Sequence, residues 1–289
     1  MKLTHEKILI VNDIAGAGKV AGNVVFPMLS AAALEPAILP TLLLSTNADA
    51  PGNVATLSTH AAFTRFLAHW EELGFEFSAF ATGYFAEVEQ IIEFTEYFLK
   101  EKEKNTNKKL FVDPTMGEHG ELYPGFNEEV PTRIGHLIQH ADIVLPNITE
   151  ACLLTGHPYK EPMDFDEMSE LAKKVSQLGA KNTILSGIQK KDENGKEQIG
   201  FFYYDEDGNS GLLMHEYFEQ HFFGAGDVVF SAIISFYLKG LSIYEAIEKT
   251  SQLTEKALQD TIALDRNEMY GIYFEPMLAD FMKELAEID

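Results

Sequence analysis

Short apolar runs alternate with longer amphipathic ones along this chain. KILIVND (7–13), AILPTLLLS (37–45), SAFATGY (78–84), KLFVDPT (109–115), DIVLPN (142–147) and NTILSGI (182–188) are apolar nearly throughout rather than at every second residue. Such runs predict strands covered on both faces, as in a parallel sheet. Between them, apolar residues recur at helical spacing over residues 21–34, 58–74, 85–104, 127–140 and 164–179. The rhythm predicts an α/β fold of three layers, a central and mostly parallel sheet between two layers of helices. The pattern then changes. Residues 197–218 read as an antiparallel hairpin around the turn-rich DEDGNSG, followed by helices over 227–238, from 243 to about 263, and from 276 to the end. No linker-like stretch or repeat interrupts the chain, so a single domain over residues 1–289 is expected.

Five of these strands end in polar or small residues: Asn12-Asp13, Gly83-Tyr84, Asp113-Pro114-Thr115, Pro146-Asn147 and Ser186-Gly187. Each alone is an ordinary strand-end turn. Together they mark one rim, because open α/β sheets bind ligands at the carboxyl ends of their strands.

Charge narrows the partners. With 22 basic against 45 acidic side chains, the formal net charge is −23. A field of that sign repels nucleic acid and anionic lipid, so neither is an expected partner. An anionic substrate would need local donors or a metal ion to overcome it. The lone cysteine, Cys152, excludes an internal disulfide and a multi-cysteine zinc site, and fits a buried structural position. No leader-like apolar segment follows Met1 and no apolar run reaches membrane-spanning length, which leads to the expectation of a cytoplasmic protein.

Gly-Ala-Gly occurs twice, at residues 16–18 before Lys19 and at residues 224–226 before Asp227. The first invites a reading as a phosphate-binding P-loop. Aligned on Gly18-Lys19, however, Asp13 falls where the motif's first glycine belongs and Val20 where its hydroxyl belongs. A dinucleotide fingerprint fails as well, because Ala21 replaces its third glycine. What remains is a turn between strand and helix, in which Asp13 is placed to accept hydrogen bonds from a neutral substrate.

The second copy opens a long apolar helix. The amides of Gly224, Ala225 and Gly226 at a helix N-terminus form an anion site that needs no basic side chain. Asp227 has an ordinary explanation as a first-turn helix charge. Beside a phosphate cradle it is also placed to take a proton from an attacking hydroxyl. Asp113 and Glu150, at or just past two strand ends, are candidate carboxylates for magnesium, with Asn147 three residues before Glu150 at the same junction. The plain alternative for Glu150 is again a first-turn helix charge.

These blocks resemble the ribokinase-like superfamily, in particular its pyridoxal kinase and hydroxymethylpyrimidine kinase branch. DPTMGEHGELY is similar to D-P-V-M-G-D-x-G-x-L-Y, and ADIVLPNITEACLLTG to A-D-x-x-T-P-N-x-x-E-A-x-x-L-T-G. FGAGD is similar to G-[TA]-G-D, GYFAEVEQ to G-Y-x-G-x-x-E-Q, and AGNVVFPML to H-A-G-N-x-A-x-x-F-P. The resemblance covers roughly residues 7–260 and implies an ATP- and Mg2+-dependent kinase of a small hydroxymethyl heteroaromatic. By it, Asp227 is the base and the amides of Gly224, Ala225 and Gly226 stabilise the phosphoryl group in transfer. Asp113 and Glu150 serve magnesium, with Glu118 and Tyr123 nearby. Asn147, Ser186 and Gly187 contact the nucleotide. Asp13, Thr46 and Tyr84 line the substrate pocket, and the hairpin with the segment after it borders the adenine. The resemblance also implies a homodimer.

The chain departs from the pattern in informative places. Leu145 replaces the threonine of T-P-N, and Ala225 that of G-T-G-D. Asp227 tilts away from hydroxymethylpyrimidine kinases, which commonly carry G-T-G-C. Asn12-Asp13 followed by residues 16–18 instead resembles their S-D-P-S-G-G-A-G, one residue shorter. The leading expectation is phosphorylation of pyridoxal, pyridoxine or pyridoxamine. A hydroxymethylpyrimidine kinase is the alternative, and a catalytically silent vitamer-binding protein is a third reading that the presence of Asp227 argues against.

Overall fold

A computed structural model describes residues 6–288. The described residues group into two compact units, residues 6–108 with 219–288, and Lys109–Phe218. In chain order the first stretch holds β1 (Lys7–Ala15), α1 (Gly22–Ala31), β2 (Glu35–Leu44), β3 (Thr56–Ser58), α2 (His60–Glu72), β4 (Ala79–Thr82) and α3 (Val88–Lys104). The second unit contains β5 (Lys109–Val112), β6 (Gly117–Glu118), β7 (Glu121–Leu122), α4 (Glu129–Ile138), β8 (Ile143–Val144), α5 (Ile148–Thr155), α6 (Phe165–Ser176), β9 (Asn182–Lys191), β10 (Glu197–Tyr204) and β11 (Ser210–Glu216). The chain then returns to the first unit with α7 (Ala225–Leu238), α8 (Ile243–Ala263) and α9 (Leu278–Ala286).

In the first unit the strands lie in the order β4-β1-β2-β3, parallel except for the short edge strand β3. Ile8, Leu9, Ile10 and Val11 are consecutive and all fully buried, which is what coverage of both sheet faces demands. The β1–β2 register slips between Asn12 and Ile14, so Asp13 stands at the irregularity. Irregularities of this kind re-aim a side chain out of the ladder. Helix α7 packs against α1 and α8. Nine consecutive residues of it, from Val228 to Phe236, are buried, the mark of a helix enclosed on every side.

The second unit has the order β11-β10-β9-β8-β5, with β5, β8 and β9 parallel and the hairpin β10–β11 added antiparallel. Its turn is built by Asp205, whose Oδ1 accepts the N–H groups of Asp207 and Asn209 at 3.1 and 2.8 Å. Parallel strands, crossover helices and the hairpin are those the sequence predicts.

Three local differences have physical causes. Residues 56–58 form an edge strand where a helix was expected from residue 58, because they complete β2's outer hydrogen bonds, a cue too short for periodicity to register. The helix starts at His60, whose N–H donates to the Ser58 hydroxyl at 3.2 Å. Residues 117–122 fold into the small β6–β7 ribbon, and residues 148–155 into α5, which is closed by a reciprocal Asn147–Glu150 capping box. No helix among the described residues is long and apolar enough to cross a membrane.

Candidate active site

In the first unit the two Gly-Ala-Gly turns meet. Asp227, in the first turn of α7, accepts the backbone N–H of Ala21 through Oδ2 at 2.7 Å. Gly224 caps α7 in the left-handed region, φ 82°, and a Cβ on it would lie 2.0 Å from the Lys19 carbonyl oxygen. Only glycine allows that approach. The Ala225 N–H is donated to the Phe222 carbonyl at 3.1 Å. The Ala225 amide, expected to serve an anion, is therefore already engaged, which leaves the neighbouring first-turn amides, Gly226 among them, as the candidates.

Asp13 and Asp227 form an electrostatically linked pair. Burial, and secondarily the Asp227 charge, lift the Asp13 carboxyl from 3.8 to about 7. Burial also raises Asp227 to about 6, opposed by the hydrogen bond from Ala21. Tyr84 is raised by burial and then by Asp13, which places its hydroxyl within the same field. Thr46 lies beside the first turn, its Oγ1 4.0 Å from where a Gly18 Cβ would stand.

The loop that carries Tyr84 is held from beneath by a buried polar network. Asn12 Oδ1 accepts the N–H groups of Asp13 and Tyr84, both at 3.0 Å. The Thr41 hydroxyl donates to the Tyr84 carbonyl at 2.8 Å. Gln90 donates to the Thr41 carbonyl at 2.9 Å and accepts the N–H groups of Ala86 and Glu87. Asn12, Thr41 and Gln90 are all buried, so each lost partner would strand a desolvated polar group. Sequence reasoning quoted Asn12 and Gln90 inside motifs without assigning them work, and missed Thr41 and Ala21. A polar residue within an apolar run was the available signal for Thr41. Nothing in the sequence points to a backbone amide.

Lys19 is committed elsewhere. Its Nζ pairs with Glu275 at 2.6 Å and lies 5.7 Å from the Phe274 ring centroid. That is in keeping with the failed P-loop match.

The second unit gathers most of the remaining candidates. Glu150 is buried and accepts the N–H groups of Asn147 and Met116 at 2.8 and 3.2 Å. Burial outweighs these bonds and lifts it from 4.5 to about 7, with the exposed Glu118 contributing. Asn147 Nδ2 donates to the Gly117 carbonyl at 2.9 Å, and Tyr123 N–H to the Met116 carbonyl at 2.9 Å. Asn147 and Ser186 bridge as parallel neighbours, the Ser186 N–H donating to the Pro146 carbonyl at 2.9 Å, with Gly187 next in the chain. Asp113, half-buried, accepts the Thr115 hydroxyl at 3.0 Å. No group of three or more His, Cys, Asp or Glu side chains among the described residues forms a ready metal cage.

Compared with known families, residues 37–271 match the phosphomethylpyrimidine kinase model. The chain belongs to the phosphomethylpyrimidine kinase family. Membership places it among phosphotransferases with an alcohol group as acceptor, on the ribokinase-like fold. Among curated relatives of the family member, a pyridoxal kinase of Actinobacillus pleuropneumoniae is 26% identical over 63% of both chains, just under two thirds of that relative's length. A pyridoxine/pyridoxal/pyridoxamine kinase of Bordetella avium is 27% identical over 87% of this chain and 84% of its own. A hydroxymethylpyrimidine/phosphomethylpyrimidine kinase of Bacillus subtilis is 26% identical over 54% and 55%. In solved structures, the pyridoxal kinase of Lactobacillus plantarum superposes with a TM-score of 0.88 at 28% identity, over 97% of this chain and 98% of its own. A Bacteroides thetaiotaomicron protein assigned as a phosphomethylpyrimidine kinase, crystallised with pyridoxal, gives 0.89 at 28% identity over 96% of each chain.

Proposed function

We propose that this family member transfers the γ-phosphoryl group of ATP to the 5′-hydroxymethyl group of pyridoxal, pyridoxine or pyridoxamine. The observation that carries the reading is the Asp227 carboxylate, half-buried at the N-terminus of α7, beside a glycine turn and held by a single backbone N–H. Asp227 removes the hydroxymethyl proton as that oxygen bonds to the γ-phosphorus, and the bond from phosphorus to the ADP oxygen breaks. The first-turn amides, with the α7 macrodipole, bind the charge of the phosphoryl group in transfer. Asp13, Thr46 and Tyr84 contact the ring. Asn147, Ser186, Gly187, Glu118 and Tyr123 serve the nucleotide. A cavity of about 530 Å3 between residues 219–222 and the end of α8 is offered for its base.

Magnesium fits the acidic residues of the second unit as an ion that keeps most of its waters and takes one or two carboxylates. Asp113 would hold it, while Glu150, its oxygens already engaged by two amides, would act through water and fix the loop. The ion would neutralise the phosphates against a chain of net charge −23. A single kinase domain over residues 1–289, working in the cytoplasm, is part of the same reading. A homodimer through the β3 edge is part of the reading, because the paired Leu43 and Leu57 there are 36% and 63% exposed. A Leu57→Lys variant should then run as a monomer in light scattering.

The second reading, a hydroxymethylpyrimidine kinase, draws on Asn12-Asp13 and the turn after them. Steady-state assays with ATP and Mg2+ separate the two. We expect a kcat/KM for pyridoxal or pyridoxine at least about tenfold above that for hydroxymethylpyrimidine, a difference of roughly 1.4 kcal/mol in transition-state binding. An equal or greater value on the pyrimidine overturns the choice.

A further inference from the structure

Both glycine turns are tied to a third segment, residues 266–272, that no motif singles out. Tyr270 offers its carbonyl to the Lys19 N–H at 3.0 Å, and Ile272 donates its N–H to the Phe223 carbonyl at 2.8 Å. Lys19 precedes Ala21 by two residues, and Phe223 immediately precedes Gly224. Gly271, between these two bonds, has φ 72°, and a Cβ on it would stand 2.6 Å from the Lys19 oxygen and 3.0 Å from the Phe223 oxygen. The segment thus fits between the turns as a spacer.

One side chain fastens it. The Arg266 guanidinium donates from Nη2 to the Gly271 carbonyl at 2.5 Å and lies 5.9 and 5.3 Å from the ring centroids of Tyr270 and Tyr273. Its Nε–H is buried with no acceptor among the described residues, a cost that an ordinary surface arginine avoids. Ala21, which the segment supports, is itself strained, with φ 49° and ψ −130° in a residue other than glycine. Such a conformation persists only where its surroundings enforce it. In it, the Ala21 N–H points at Asp227.

We propose that residues 266–272 are a positioning brace for Asp227, fastened by Arg266 and acting through the Lys19 backbone and the Ala21 N–H. The brace makes no contact with the reacting atoms. It fixes where the Asp227 carboxylate points and keeps a hydrogen-bond donor on the ionised form. The inference rests on Asp227 being the base. The charged group coupled to that carboxylate is Asp13, which the Arg266 variants leave in place.

The test is a pH–rate series on the full chain with ATP, Mg2+ and pyridoxal, comparing wild type, Arg266→Ala, Arg266→Lys and Asp227→Asn. For Arg266→Ala, kcat should fall about 10- to 100-fold, since small misplacements of a catalytic group cost that much. The acidic limb of its kcat profile should move up by about one pH unit, because a weakened Ala21 bond no longer favours the ionised carboxylate. Arg266→Lys, which keeps the charge but loses the planar fork, should shift both in the same direction by less and covers the case in which the alanine variant does not fold. A raised KM for ATP with kcat and pH profile unchanged would assign Arg266 to the nucleotide cavity it lines and overturn the brace. A lowered kcat with an unmoved acidic limb overturns it too. If Asp227→Asn retains turnover, the base assignment itself fails; if only the arginine variants behave like wild type, the brace fails alone.

Discussion

The two Gly-Ala-Gly turns share a tripeptide and a neighbourhood, yet they use opposite parts of the chain. After residues 16–18 the side chain of Lys19 turns to Glu275 and the backbone does the work: Lys19 takes part in the brace, and the Ala21 N–H meets Asp227. After residues 224–226 the backbone opens a helix and the side chain, Asp227, is the group proposed as the base. The lesson is that a glycine-rich turn supplies only permission for close approach. Which group approaches, and what it does, depends on the opposing element. Here each turn is the other's opposing element.

Asp227→Asn should separate them most sharply. Turnover should fall by about 100- to 10,000-fold, with ATP affinity measured by calorimetry nearly unchanged, because a base is lost while the amides remain. Undiminished turnover would leave the second turn with no chemical role. Next comes Gly224→Ala. Its Cβ would meet the Lys19 oxygen and its φ is unfavourable for any other residue, so unfolding stability should drop by about 2 kcal/mol or more, read by thermal or urea denaturation. An unchanged melting curve would mean that the turns do not abut.

A pH comparison sharpens the pairing further. Asp13 and Asp227 have native values of about 7 and about 6 against an ordinary 3.8. The native state therefore holds more protons than the unfolded one between those limits. The stability this provides is complete below about pH 4 and is lost as pH rises through 6 and 7. For activity the sign is the reverse, since a base must be ionised: kcat should rise with pH through about 6. Asp13, at about 7, is still protonated while Asp227 ionises near 6, so Asp13→Asn replaces a neutral group and should leave that acidic limb within about half a pH unit; a move of a full unit would show that the two carboxyls ionise in the opposite order. The smallest effect belongs to Lys19→Ala. The side chain is partly exposed and already paired, so its loss should change kcat and the KM for ATP by less than about fivefold. A hundredfold loss would restore the P-loop reading.

Much of this was legible in the residues. Continuous apolar strands and helical periodicity pointed to an open α/β sheet with parallel strands. Asp227 was legible as a candidate because a glycine turn that opens an apolar helix exposes first-turn amides beside it. Glu150 was legible only as one of two things, a helix-start charge or a magnesium carboxylate. The structure gives it a capping-box place with two amides, and charge counting cannot show that. The network of Asn12, Thr41 and Gln90 was hidden for a similar reason. Its members lie far apart in the chain and meet only when β1, β2 and α3 come together.

The sequence by itself determined the main strands and helices, their order and the identity of the ionisable groups, because periodicity, turn chemistry and side-chain type are local properties. Only the tertiary structure decided that Lys19 faces a carboxylate instead of an anion, that a strained alanine amide holds Asp227, and that residues 266–272 support both turns. Those outcomes depend on contacts between segments roughly 50 to 250 residues apart, made through backbone groups that every residue carries. No composition or spacing can mark such groups, since the chain presents them identically everywhere until it folds.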